Sequence, residues 1–179
     1  ASLRERQLPA PVMMYYVIAL ALYAEASYGE VLRCLLEGLR WPSWSFGVVP
    51  VAGKSGISQA RSRLGVEPVK QLYQQAVGPL AQRETKGAWY GDWRLVSIDG
   101  STQEVANEAA NVAAFGRPGA SRGRSAYPQL RFVCLVKTGS HVLFGAELGA
   151  YTSGEQTLAQ AVVERLKPNM LCLADRGFF

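Results

Sequence analysis

Apolar residues recur with helical spacing through the first half of the chain. Residues 12–25 contain no helix-breaking residue, and Pro11 before them suits the first turn of a helix. Within residues 30–39, apolar side chains lie at Val31, Leu32, Leu35, Leu36 and Leu39. Side chains at this spacing share one face of an α-helix. The pattern therefore predicts two helices that pack in a core.

Two shorter helices are predicted further along. Ser55 is suited to cap a helix over residues 56–64, and Gly65 is suited to end it, because glycine tolerates the left-handed backbone of a helix end. A fourth helix is predicted over residues 67–80, opened by a Glu-Pro pair. We expect residues 1–88 to form one helical domain.

After residue 88 the pattern changes to short apolar runs that are typical of strands. Four candidate strands cover residues 94–98, 130–137, 142–148 and 170–174. The turn sequence Thr138-Gly139-Ser140 joins the second and third of them and predicts an antiparallel hairpin. The fourth is expected to be buried and parallel to the first.

A helix is predicted before the last strand. Ser153 and Gln156 form a capping-box pattern, which marks a helix start. The predicted helix runs to Leu166 with one apolar face, formed by Leu158, Ala161, Val162 and Leu166. Residues 103–127 fit no regular element. We therefore expect residues 89–179 to form a mixed sheet with a helix, and the whole chain to be α+β.

Two acidic residues follow apolar runs of the predicted sheet. Asp99 comes after Val96 and Ile98, and Asp175 comes after the run 171–173. Acids at the ends of neighbouring strands can converge, and paired carboxylates suit Mg²⁺. Each acid alone has a structural alternative, since an Asp-Gly turn or a turn cap explains it as well. Together they indicate a metal site for phosphodiester chemistry.

The charge, the cysteine content and the apolar runs of the chain bear on its partner and its cellular compartment. The formal net charge is +5 and the sequence pI about 9.3, which favours a polyanionic partner, although many basic soluble proteins bind none. Cys34, Cys134 and Cys172 lack the spacing of a zinc site or a disulfide framework, as expected in a reducing cytoplasm. The apolar run 12–24 is too short to span a bilayer.

Two basic segments are candidates for binding DNA. The predicted helix 56–64 and its approach carry Lys54, Gln59, Arg61 and Arg63, the side-chain types that contact bases and phosphates from a recognition helix. The segment 103–127 and the start of the next strand carry Arg117, Arg122, Arg124 and Arg131, interleaved with glycines. A solvated surface remains the alternative for both segments.

Ordered blocks across nearly the whole chain resemble bacterial insertion sequence transposases, specifically the insertion sequence 4 family with its DDE-type catalytic domain. The blocks are Arg6 to Pro9, Tyr15 to Leu22, Tyr28 to Leu32, Ser58 to Gly65, Ile98 to Ser101, Tyr127 to Arg131, Gly154-Glu155 and Leu173 to Phe178. The resemblance implies a ribonuclease H-like fold for residues 89–179 and a DNA-binding role for residues 1–88.

The resemblance also implies chemistry. Asp99 and Asp175 match the first and second catalytic acids, which hold Mg²⁺ or Mn²⁺ for strand cleavage at the transposon ends and strand transfer into target DNA. Arg176 would contact phosphate. The implied partner is duplex DNA, both terminal inverted repeats and target, with self-association on DNA at the nucleoid. The family's third acid, a Glu, has no counterpart here; Glu104 and Glu108 lie elsewhere than the family places it.

The sequence is compatible with three functions. The chain is expected to be the amino-terminal part of a transposase and to be inactive by itself. It could instead be a DNA-binding fragment that occupies transposon ends without catalysis. It could also be an inactive remnant. The sequence does not choose among them.

Overall fold

The structure is a computed structural model that describes residues 8–38, 51–78, 80–120, 123–124 and 127–178. Its contacts divide the chain into two compact units, Ala1–Ala76 and Val77–Phe179. The loop before the sheet belongs to the second unit, because Arg94 Nη1 donates to the Ala81 carbonyl at 3.0 Å. The α+β class is confirmed, while the ribonuclease H-like assignment stays a prediction.

The first unit is helical. Its helices are α1 (Ala10–Leu22), α2 (Tyr28–Gly38), α3 (Lys54–Leu64) and α4 (Glu67–Ala76). The core between α1, α2 and α3 contains Val12, Met13, Tyr16, Leu32 and Ile57, all buried. The four predicted helices are confirmed. α4 ends at Ala76, earlier than the predicted residue 80.

The cap assigned to α3 was wrong. Gly53 is the N-cap residue, no side-chain cap hydrogen bond forms there, and Ser55 lies inside the helix. The end of α3 is as predicted: Gly65 has φ +70°, a left-handed conformation that glycine adopts without steric cost.

The second unit is built on one five-stranded sheet, with α6 packed on it. Its elements are β1 (Trp89–Tyr90), β2 (Trp93–Glu104), α5 (Ala109–Phe115), β3 (Gly119–Ala120), β4 (Gly123–Arg124), β5 (Gln129–Lys137), β6 (Val142–Ala150), α6 (Glu155–Val163), β7 (Met170–Leu173) and a 3-10 helix (Arg176–Phe178). β5 and β6 form the predicted antiparallel hairpin, and β7 pairs with β2 in parallel, also as predicted.

Three sequence predictions for this unit were wrong. Residues 103–127 do contain regular structure, namely α5 and the β3–β4 pair. β7 is not fully buried: Leu171 is 38 % exposed and Leu173 is 48 % exposed, since only alternate side chains face the core. α6 begins after Gly154 without a side-chain cap, and it ends at Val163 rather than at residue 166.

The core of the second unit lies between the sheet and α6. Ile98, Val133 and Leu135 of the sheet pack against buried residues of the helix, which are Leu158, Ala159 and Val162. Ala161, predicted on this face, is exposed. A β-bulge interrupts the β5–β6 register between Leu135 and Val136. Because Ile98 packs against the helix, the face of β2 that carries Ile98 is the one that faces α6.

Candidate functional site

Asp99 lies inside a strand rather than after one. β2 continues to Glu104 because β5 pairs with it as far as Gln129, so the predicted end of the strand at Ile98 was wrong. The Asp99 side chain is exposed, and strand alternation directs it away from the α6 face that holds Ile98. The backbone N–H of Gly100 donates to Asp99 Oδ1 at 2.8 Å.

Asp175 lies just beyond β7, as predicted, and caps a turn. Its Oδ1 accepts a hydrogen bond from the Gly177 N–H at 2.8 Å, at the start of the 3-10 helix. Gln156 Nε2 of α6 donates to the Gly177 carbonyl at 3.3 Å, and Phe178 packs against the sheet core. The structural alternative for Asp175 is therefore observed. The turn cap uses Asp175 Oδ1, and Asp175 Oδ2 has no hydrogen bond among the described residues.

The parallel ladder relates the two acids. Ser97 and Leu173 are its last pair, and Asp99 and Asp175 each lie two residues further along. Parallel strands run in one direction, so both acids follow the same end of this ladder. Within the described ranges, no group of three or more His, Cys, Asp or Glu side chains is placed to hold a metal ion.

Cys134 is the cross-strand partner of Asp99 in the β2–β5 ladder. The thiol is buried, and its Sγ donates weakly to the Asp99 carbonyl oxygen at 3.7 Å. Burial first, and the negative charge of Asp99 second, raise the pKa of the Cys134 thiol. The thiol therefore stays protonated at neutral pH and is a poor nucleophile.

Glu155 lies against Gly100, the residue after Asp99, on the α6 side of the sheet, and the sequence patterns missed this contact. It is the first residue of α6, and a Cβ built on Gly100 would lie 2.9 Å from its Oε1. Arg131 Nη1 lies 4.0 Å from the same oxygen. No local pattern could reveal a contact between residues so far apart in sequence. A side chain at residue 100 would displace the Glu155 carboxylate, which is the flexible end of that side chain.

Arg131 lies on the α6 side of β5. It alternates with Val133 and Leu135, whose side chains face the helix. Its guanidinium lies 5.8 Å from the centroid of the Tyr151 ring, and its Nε is buried with no hydrogen-bond partner in the described structure. These contacts give Arg131 a packing role, while its contact with DNA stays a prediction.

The predicted recognition helix is α3. Its buried residues are Ile57 and Ala60, and its exposed polar residues include all four predicted contacts, Lys54, Gln59, Arg61 and Arg63. Gln59 and Arg63 are four positions apart and share one face. The Arg61 guanidinium lies 5.7 Å from the centroid of the Tyr28 ring, so it also contacts α2.

The other predicted DNA contacts are dispersed. Arg117 donates to Asn107 Oδ1 next to α5. Arg124 is in β4, Arg122 lies outside the described residues, and Arg176 is exposed in the 3-10 helix just after Asp175. Of these arginines, Arg176 is the neighbour of a candidate acid in sequence. Across the described ranges, no helix has the length and apolar character needed to cross a membrane.

Comparison with known proteins yields two kinds of match. Residues 1–74 match the family model of the insertion element 4 transposase N-terminal domain. The chain is 29 % identical over 181 aligned positions to the transposase InsG of insertion sequence element IS4 from Escherichia coli K12, covering 99 % of this chain and 39 % of InsG. It is also 27 % identical to InsZ of the same strain, a protein named as a transposase, covering 100 % of this chain and 57 % of InsZ. The chain thus spans less than two thirds of either relative.

Proposed function

We propose that the chain, which matches insertion sequence 4 transposases over its whole length, is a member of that family and supplies the end-binding helices and the first two catalytic acids of a DNA transposase. The reaction class is phosphoryl transfer, with strand cleavage at transposon ends and joining to target DNA. The substrate is duplex DNA. This activity belongs to a longer protein, as the lengths of InsG and InsZ indicate.

The observation that carries this proposal is the parallel β2–β7 register. It gives Asp99 and Asp175 equal offsets from the last paired residues, Ser97 and Leu173. Both carboxylates are exposed, and in both the described hydrogen bonds engage Oδ1 alone. An exposed all-oxygen donor pair fits Mg²⁺, which binds through one or two carboxylates and retains water.

The residues of this chain would have distinct roles. Asp99 and Asp175 would hold Mg²⁺, and Mn²⁺ could substitute. When bound, the ion would supply Lewis-acid activation of the phosphodiester and its attacking oxygen. Arg176, next to Asp175 in sequence, would contact a phosphate of the bound strand. Lys54, Gln59, Arg61 and Arg63 would hold the terminal inverted repeat, while the arginines of residues 117–131 would follow the backbone.

A second candidate is a DNA-binding protein that occupies transposon ends without cleaving them. It is favoured by the exposed side chains Lys54, Gln59, Arg61 and Arg63 of α3, which could hold DNA without a catalytic acid. The two functions differ in the need for Asp99 and Asp175. End binding alone requires α3 and not the acids.

The experiment that tests the first function uses a full-length transposase carrying this segment. Asp99→Asn and Asp175→Asn should each lower cleavage of end DNA with Mg²⁺ by at least roughly 10- to 100-fold, the loss typical when a partner of a metal ligand is removed. Asp92→Asn is the matched control, because Asp92 is an exposed acid whose ion pair is with Arg83, at 2.7 Å. Full activity in both acid variants would exclude the metal assignment, and end binding without cleavage in the unmodified protein would favour the second function.

A further inference from the structure

Lys137 is a buried lysine that neither the metal site nor the recognition helix uses. It is 2 % exposed and is the last residue of β5, paired with Val96 across the ladder. It lines a cavity of about 340 Å³ in the second unit, together with Phe144, Glu164, Arg165 and Lys167. Val96 faces α6, so the cavity lies on the side of the sheet opposite to the Asp99 side chain.

The charge of Lys137 is not balanced by an acid. Within the described structure it forms no ion pair, although Glu164 also lines the cavity. Arg165 is already paired with Glu147 at 3.2 Å. Burial, followed by the positive charges of Arg94 and Lys167, lowers the pKa of the Lys137 amine. A buried cation beside two other cations is unfavourable, and an anion in the cavity would stabilise the charged form of Lys137.

Two neighbouring elements offer only partial compensation. Phe144 lies at the β-bulge between Leu135 and Val136. Its ring centroid is 4.9 Å from Lys137 Nζ. The end of α6 is also near, but the carbonyls of Val162 and Val163 already accept hydrogen bonds from Arg165 and Leu166. Lys137 therefore keeps N–H donors for a group that enters the cavity.

We propose that this cavity binds a phosphate group, with Lys137 and Lys167 as its cationic contacts. Phosphate offers several oxygen acceptors and enough negative charge to offset the clustered cations. The cavity volume is in the range of small-ligand sites. The phosphate comes either from a free phosphate compound or from a DNA backbone, and the two sources share the same chemistry at Lys137.

The test is calorimetric titration of the unmodified chain with inorganic phosphate, with pyrophosphate, and separately with a duplex oligonucleotide. Lys137→Met keeps most of the buried stem and removes the charge. It should weaken phosphate binding at least tenfold, and Lys167→Met should weaken it less. Lys70→Met in α4 is the control for net charge and should change nothing. No phosphate binding at millimolar concentration, with no effect of Lys137→Met on DNA binding, overturns the proposal.

A second measurement covers the case in which Lys137→Met fails to fold. Amine acetylation of the unmodified protein, followed by mass spectrometry, reports the accessibility of each lysine. Phosphate should protect Lys137 and leave Lys70 unchanged. Protection by duplex DNA but not by phosphate or pyrophosphate assigns the site to the DNA backbone, and protection by the small anions assigns it to a free compound. Equal acetylation of Lys137 under all conditions overturns the proposal.

Discussion

Gly139 approaches the Lys86 backbone so closely that a Cβ on Gly139 would lie 2.6 Å from the Lys86 carbonyl oxygen. Gly139 belongs to the turn between β5 and β6, and Lys86 belongs to the loop before β1. The same Cβ would lie 2.9 Å from the Ala88 nitrogen. Because both neighbours are backbone atoms, neither can rotate away, and the turn is held against this loop.

Gly139→Ala should therefore destabilise the protein, through both the overlap and the left-handed backbone, at φ +86°. Gly87→Ala is the matched control, because Gly87 has φ +71° but no atom within 4 Å of a built Cβ. The control should cost about 1–2 kcal/mol, and Gly139→Ala should cost roughly 1–3 kcal/mol more. Urea unfolding followed by tryptophan fluorescence measures both. Equal losses would show that the contact with Lys86 contributes nothing.

Metal binding by this chain should be weak and should depend on both acids. Asp99 and Asp175 provide two carboxylates, so Mn²⁺ should bind with a dissociation constant on the order of millimolar. Asn at either position should abolish saturable binding, whereas Asp92→Asn should leave it intact. Electron paramagnetic resonance of free Mn²⁺ follows the titration. Binding that survives the double variant would place the ion elsewhere.

DNA binding should fall steeply as salt rises, since lysine and arginine contacts release counterions. Arg63→Ala should weaken binding by about 1–3 kcal/mol if Arg63 contacts a base. The triple alanine variant of Gln59, Arg61 and Arg63 should weaken it further, and Lys70→Ala is the control within the same unit. Fluorescence anisotropy over a salt series measures each affinity. Unchanged affinity in the triple variant would exclude α3 as the recognition helix.

Glu30 should stabilise the helical unit to an extent that depends on pH. Hydrogen bonds, first from Arg33 and then from Cys34, lower the pKa of the Glu30 carboxyl to about 2 from its ordinary value of 4.5. A lowered folded-state pKa stabilises the fold above the unfolded pKa, and this contribution is lost as pH falls through the folded pKa. Glu30→Gln should thus lower the melting temperature at pH 7, with the difference shrinking between pH 4.5 and about 2.

Glu25→Gln is the control for that series, because Glu25 has no ion pair in the described part of the chain. The effect at Glu30 should be small, since the pair with Arg33 is exposed and screened by salt. Melting curves in low and high salt separate charge from packing. A difference between Glu30→Gln and the unmodified protein that stays constant from pH 7 to pH 2 would contradict this account.

Local patterns predicted most elements of the fold. Helical spacing located α1 and α2, and the turn at Gly139 located the β5–β6 hairpin, because these signals depend on neighbours in sequence. The Asp99-Gly100 pair failed as a turn signal. Its pairing with Cys134 and Val133 of β5 keeps it extended, and such long-range pairing is not written in a local pattern.

The candidate site was predicted in part. The parallel order of the strands that carry Asp99 and Asp175 is confirmed, while the metal-binding role of the two acids stays a prediction. Glu155 against Gly100, and Lys137 beside Phe144, were not foreseen. Both contacts depend on how α6 and the bulge meet the sheet, which involves residues distant in sequence.

The length of β2 has a consequence for handling the acid variants. From Ile98 to Glu104, β2 pairs with β5 on one side, and no described strand covers its other side. Open strand edges recruit further strands and promote aggregation, and charged side chains oppose this. Asp99 is a charged residue on this open stretch. Asp99→Asn therefore removes a charge that opposes self-association together with a proposed metal ligand. Its oligomeric state has to be compared with that of the unmodified protein before lost activity is attributed to chemistry.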